Sequence, residues 1–309
     1  SAFLPELLTE LNIPFDTGLD DASWIVTGYL LAYTVSLTFM GRLSDLIGRR
    51  GVYIACLLTF IAGSVLVAVA HGAPTDALYT LYRRMGERPD PAMVNLQVII
   101  FGRVIQALGA GALVPVSLAL VGDMFPPEQR ARPLGLVGAI DTLGWVLGHL
   151  YGGVFVQIMP WQGLFWLNVP LTLFALGAVL WALRHVPQVR IKWRFDIVGT
   201  ALIIGALTCL NVGLGANLEF TTATGFEELS PLPDYALPVL LAGAIFFLGF
   251  ILVESRIRDP LINLNIFRRK DIALASIVNL LVGYALFIGL VSVPILINVR
   301  QEDYTTLRE

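Results

Sequence analysis

Gly41-Arg42-Leu43-Ser44-Asp45-Leu46-Ile47-Gly48-Arg49-Arg50 is a charged stretch wedged between two apolar runs, 24–40 and 52–70, that contain no charge at all. Each run is long enough to cross a hydrocarbon core of about 30 Å at about 1.5 Å per residue. The stretch therefore reads as a tight turn, 41–51, joining two membrane-spanning helices. Gly41 and Gly48 remove side-chain bulk where two helix ends crowd, and glycine tolerates the backbone angles of a short turn. Asp45 stands four residues before Arg49, so any helical character in the turn puts the two on one face, able to pair.

Composition agrees with a membrane protein. The 309 residues are 56% hydrophobic and 14% charged, with a mean hydropathy of +0.76, whereas ordinary soluble domains carry about 25% charged residues. Long apolar stretches predict eight complete spans, at 24–40, 52–70, 97–121, 134–158, 164–183, 197–217, 236–253 and 272–298. Fourteen of the twenty Lys and Arg residues fall in alternate connections, 41–51, 122–133, 184–196 and 254–271. The positive-inside rule places these four in the cytoplasm of a multi-pass protein of the cell membrane. The connection 71–96, with Arg83, Arg84 and Arg88, is the one discordant segment. The fold class expected is an all-α polytopic bundle.

Several segments, in order along the chain, resemble the major facilitator superfamily of transporters. The stretch from Gly41 matches the family's pattern G-x-L-x-D-x-x-G-R-[RK] between helices two and three. Trp24 and Tyr29 are similar to the start of its second helix, and Arg103-x-x-Gln106-x-x-Gly109-x-Gly111 to the motif of its fourth. Phe125-Pro-Pro-Glu-Gln-Arg130 is similar to the turn that follows. Gly144-x-x-x-Gly148-His149-x-x-Gly152-Gly153 resembles the fifth-helix antiporter motif, with His149 where that motif has Pro. Phe165, Asn168 and Pro170 match the opening of helix six. Glu254-x-Arg-x-Arg-Asp-Pro260-Leu-Ile-Asn-Leu-x-Ile-Phe267 resembles the turn entering helix nine of the fourteen-helix drug:proton antiporter branch.

The resemblance implies three parts: an N-terminal six-helix bundle over 1–183, a linker with an inserted helix pair over 184–254, and the start of a C-terminal bundle over 255–309. Ser1–Pro5 looks like the external end of a first helix, so an incomplete chain lacking most of that helix and the distal ones is expected. The resemblance further implies a secondary transporter exporting small amphiphilic or cationic compounds in exchange for protons, acting as a monomer. A transport-inactive scaffold or sensor with the same fold, or a uniporter or symporter of another solute, are the rival readings.

Three sets of residues are candidates for that work. Gly41, Asp45, Gly48, Arg49 and Arg50 form a gating motif, with the Asp45 carboxylate implied by the family to latch the neighbouring bundle. The alternative is a solvated topogenic loop. Arg103, Gln106 and Asp141 are candidates for proton and substrate coupling. A charge inside a span costs at least about 2.5 kcal/mol at the bilayer centre, so it faces a cavity or partner, unless Arg103 snorkels to the headgroups. Gly138, Asp141, Gly144, Gly148 and Gly152 fall on one helical stripe, which lets a helix pack closely or leaves room for a cavity. Asp141 is then a proton carrier or a cation attractor, or simply a carboxylate paired within the bundle. His149 is a titratable group on the same helix or a hydrogen-bonded packing residue. Gly153 completes the antiporter-motif set.

Other function classes lack support. No basic stripe points to nucleic acid. Cys56 and Cys209 sit inside apolar runs, so neither a disulfide framework nor a metal site is implied. No Gly-x-x-x-x-Gly-Lys-[Ser/Thr] loop cradles a phosphate, and no cofactor is expected. An intramembrane enzyme needs a nucleophile–base pair or two carboxylates at depth, and only Asp141 lies well inside a span.

Overall fold

The computed structural model describes residues 15–155, 157–186, 196–215, 235–257 and 260–285, together with Leu7 and Glu10. The described residues are nearly all helical and contain no strand. The long helices are α1 (Phe15–Ile47), α2 (Arg49–Ala68), α4 (Pro91–Gly111), α5 (Leu113–Met124), α6 (Ala131–Phe155), α7 (Trp161–Ala182), α8 (Ile197–Gly215) and α9 (Ala236–Glu254), with a short α3 (Ala73–Arg84) between α2 and α4. A further helix, α10, occupies residues 270–285. Among the described residues, seven helical segments are long and apolar enough to cross a membrane, α4 and α5 counting as one. They correspond to the first seven expected spans. The eighth, 272–298, is helical as far as residue 285, and its remainder lies outside the described residues. So do 1–6, 187–195 and 216–234.

Three boundaries differ from expectation. The stretch 41–51 is not an open turn, because α1 continues through Ile47 and α2 starts at Arg49. Only Gly48 lies outside a helix, at φ 112° and ψ 131°. Side chains other than glycine rarely take a positive φ of that size, so one glycine makes the whole break. The connection 71–96 holds α3, whose apolar residues recur at helical spacing across a polar background. The expected single span 97–121 begins earlier, at Pro91, where Asp90 accepts a hydrogen bond from the Ala92 amide at 2.9 Å and so caps the first turn.

The bundle is built around α4. Helices α1 and α2 pack along it, α7 lies against α2, and α8 packs closely with α9 while also resting on α1. Glycine makes the close approaches possible. A Cβ on Gly63 would stand 2.3 Å from the Gln106 backbone nitrogen, and one on Gly109 would stand 2.4 Å from the Cys56 carbonyl oxygen. On the other side, a Cβ on Gly111 would stand 2.4 Å from the Tyr33 carbonyl oxygen. The Ser36 hydroxyl strengthens that seam by donating to the Leu108 carbonyl at 2.7 Å. One apolar core gathers Ile25, Val67, Leu96, Ile99, Trp161 and Phe165, and a second near the opposite helix ends gathers Val52, Cys56, Ala112 and Val116. Outward residues such as Phe174, 80% exposed, form an apolar exterior. A bilayer solvates such a surface.

Candidate functional site

The charged stretch 41–50 is tied to the end of α5 through charge. The Arg49 guanidinium donates to both carboxylate oxygens of Asp123, at the end of α5, with Nη2–Oδ1 at 3.2 Å. Arg49 Nη1 also lies 2.9 Å from Asp45 Oδ1, the expected ion pair. The two pairings are unequal: Asp123 receives the forked hydrogen bonds, while Asp45 Oδ1 is buried without a hydrogen-bond partner. Ser44, fully buried, donates to the Gly41 carbonyl at 2.6 Å. Gly41 itself lies inside α1, where a Cβ would meet Pro115 at an ordinary 3.7 Å. Its role is not to fit a turn. Arg50 follows Arg49 in the first turn of α2.

Arg42, in the same stretch, reaches the other half of the chain. Its guanidinium donates to the carbonyls of Leu261 at 2.9 Å and Pro260 at 2.5 Å. The amides of Leu261 and Ile262 donate in turn to the Glu254 carboxylate, both at 3.1 Å. The segment 260–262 is held on its carbonyl side by α1 and on its amide side by α9. Asp123, Arg42 and Glu254 were not among the candidates drawn from sequence. Each is a charge at a helix end, a position where sequence cannot separate a solvated group from a paired one.

Inside the bundle, Arg103 does not snorkel. Its guanidinium stacks 3.9 Å from the centre of the Tyr29 ring on α1 and lies 5.7 Å from that of Phe165 on α7. It donates to Gln106 Oε1 at 2.5 Å, and Gln106 donates onward to the Ser64 hydroxyl at 2.7 Å. Gln106 is 1% exposed. This line ties α4 to α2 across the glycine contacts and fixes the guanidinium plane over Tyr29, a cation–π geometry. Arg103 Nε is buried without a partner, and Arg103 forms no salt bridge with an acidic residue among the described residues.

Helix α6 places Asp141 differently. Asp141 is partly exposed, forms no salt bridge among the described residues, and lies close enough to Tyr33 for its charge to act on the phenol. It does not meet Arg103 or Gln106, so the three coupling candidates occupy two places. A Cβ on Gly138, Gly144, Gly148, Gly152 or Gly153 would meet nothing within 4 Å. Among the described residues no helix packs on this stripe, and it borders open space. The side chain of His149 lies outside what is described.

A helical bundle with apolar flanks, charges latched at its helix ends and a cation held at depth is a multi-pass membrane protein. The family model described as Major Facilitator Superfamily matches residues 1–301. The chain is 34% identical over 297 residues to a triacylglyceride transporter of Mycobacteroides abscessus, covering 95% of this chain and 51% of that protein. It is 32% identical over 272 residues to a triacylglyceride transporter of Mycolicibacterium smegmatis, covering 88% and 43%. It is 28% identical over 288 residues to multidrug resistance protein 3 of Bacillus subtilis, covering 93% and 50%. The chain spans about half the length of these relatives. It belongs to the major facilitator superfamily.

Proposed function

We propose that this chain is the N-terminal bundle (1–183), the inserted helix pair (184–254) and the start of the C-terminal bundle (255–309) of a secondary active transporter of the fourteen-helix branch. Transport proceeds by rocking the two bundles around a midplane site. The observation that carries the reading is Arg103, a permanent cation about 18 Å along α4 from its first residue. The chain retains this charge at depth and devotes Tyr29, Gln106 and Ser64 to orienting it. Intramembrane charges of this kind mark solute and ion pathways.

In this reading Asp141, on the open face of α6, carries the proton or the cationic substrate. The two compete for one carboxylate, so each cycle exchanges one for the other. The Asp45 carboxylate is the group that contacts the opposing bundle, and Arg49, itself forked on Asp123, holds it in place. The full-length parent, reconstituted in vesicles with an imposed pH gradient, is expected to move a lipophilic fluorescent cation. Asp141→Asn is expected to abolish gradient-driven movement while leaving folding intact. Undiminished transport by that variant removes Asp141 from coupling, and no transport by the parent removes the class.

A neutral lipid is the second cargo to test. The relatives named triacylglyceride transporters share more identity with the chain than does the multidrug resistance protein. Transfer of a labelled triacylglyceride between vesicle leaflets, with no flux of the cation, favours this cargo.

A further inference from the structure

Helix α3 carries two faces that the transport reading does not use. Leu78, Leu81, Tyr82 and Met85 recur at i, i+3, i+4 and i+7, while Asp76, Thr80, Arg83 and Arg84 occupy the opposite side. The apolar face is itself divided. Leu78 packs on the core, and Tyr82 donates to Gln97 Oε1 on α4 at 3.1 Å. Leu81 and Met85, on the outer edge of that face, are 52% and 69% exposed.

The helix is fixed in height at both ends. Thr75 donates to the Ala70 carbonyl at 2.6 Å, and Ala70 is the last residue of the apolar run 52–70. Tyr82 meets Gln97, about two turns into α4. The Thr75 anchor lies where the apolar run 52–70 ends, at the level where hydrocarbon gives way to headgroups. Gly86 ends the helix at φ 88°, with the Glu87 amide donating to Tyr82 and the Gly86 amide to Arg83, at 3.0 and 3.2 Å. This is a glycine-terminated stop, and Arg88 follows it two residues on. Arg83, Arg84 and Arg88 form no ion pair among the described residues, whereas Asp90 is occupied in capping α4.

We propose that α3 lies in the membrane plane, in the leaflet opposite the arginine-rich turns, as a docking surface for anionic phospholipid. Leu81 and Met85 enter the acyl region, and Arg83, Arg84 and Arg88 bind headgroup phosphates. Basic amphipathic helices bind interfaces by combining apolar burial with attraction to anionic lipid. This also accounts for the one segment that departs from the positive-inside pattern. The competing account is a helix in water whose charges only complement its dipole, with Asp76 in the first turn and Arg83 and Arg84 in the last. That account gives Leu81 and Met85 nothing to cover them.

The test uses the full-length parent with its cysteines replaced by alanine and a single Leu81→Cys or Thr80→Cys carrying an environment-sensitive fluorophore. Each is reconstituted in phosphatidylcholine vesicles with and without phosphatidylglycerol. The probe at 81 is expected to shift to the blue and be quenched by a lipid-borne nitroxide, and the probe at 80 by aqueous iodide. The blue shift should deepen with phosphatidylglycerol, and Arg83→Gln with Arg84→Gln should weaken that response by about fivefold per charge. Equal iodide quenching at 80 and 81 overturns the in-plane placement. Shielding of 81 from both quenchers also overturns it and assigns the face to a protein partner. Indifference to phosphatidylglycerol overturns the headgroup site. None of these readouts depends on transport, so failure here and failure of the transport reading are separable.

Discussion

Arg42 Nε donates to the Leu261 carbonyl at 2.9 Å, joining the end of α1 to a segment 219 residues further along the chain. Glu254, 4% exposed, accepts from the amides on the opposite side of that segment. Arg42 and Glu254 thus clamp one turn of backbone between them, and the clamp joins three parts of the chain at a single point. Hydrogen bonds to charged groups contribute about 1.5–3 kcal/mol each. Arg42→Gln is expected to cost about 1–3 kcal/mol, and Glu254→Gln more, because its amide nitrogen opposes a backbone donor. Thermal unfolding of both variants and of the double mutant measures the coupling. Additive losses would mean that the two side chains act separately.

Arg49 gives a prediction that divides stability from switching. Its fork fits the Asp123 carboxylate, and lysine cannot reproduce two parallel hydrogen bonds. Arg49→Lys and Asp123→Asn are each expected to lower stability by about 1–3 kcal/mol. Asp45→Asn should shift stability by less than about 1 kcal/mol, because its pair with Arg49 is partly exposed and lacks hydrogen-bond geometry. The same variant should still slow transport by the full-length parent at least tenfold, if its carboxylate charge is what the opposing bundle contacts. Wild-type flux by Asp45→Asn would leave Asp45 with no part in the latch.

Glycines that look alike in sequence are expected to behave oppositely. Gly63→Ala and Gly109→Ala place a Cβ 2.3 and 2.4 Å from backbone atoms that cannot swing aside, so each should cost about 1–3 kcal/mol or more. Gly144→Ala and Gly148→Ala meet nothing within 4 Å and should leave stability unchanged or raise it by about 0.5–1 kcal/mol through helix propensity. Melting temperatures in detergent decide the matter. A loss at Gly144 comparable with that at Gly63 would show α6 covered by a helix after all.

These glycines also mark how far sequence could go. The spans and the pairing of Asp45 with Arg49 were legible, because hydrophobic length and i,i+4 spacing are local properties. The packing partner of a glycine stripe is not local. Nothing in Gly109-x-Gly111 or Gly144-x-x-x-Gly148 says that the first is crowded and the second open. Asp123 and Glu254 are silent for a related reason, since one pairs with a side chain on another helix and the other with backbone amides, which no side-chain spacing reveals. Charge at 41–51 suggests a loop, whereas a helix end tolerates the same charges at an interface. In α3 the i, i+3, i+4, i+7 pattern was present, but the length and polarity of 71–96 suggested a plain connection.

The stacking of Arg103 on Tyr29 gives the last prediction. A guanidinium held 3.9 Å from the ring centre and hydrogen-bonded to Gln106 is attracted through the flat face that a lysine ammonium lacks. Cation–π pairs that are desolvated contribute about 2 kcal/mol. Arg103→Lys, Tyr29→Leu and the double mutant form a cycle whose coupling energy should approach that figure in thermal unfolding. Gln106→Leu should destabilise independently, by about 1–3 kcal/mol, because it leaves the Ser64 hydroxyl and one Arg103 nitrogen buried and unpaired. Tyr29→Phe keeps the ring and should stay close to wild type. If Tyr29→Phe were instead as damaging as Tyr29→Leu, the phenol oxygen and not the ring face would be what Arg103 requires.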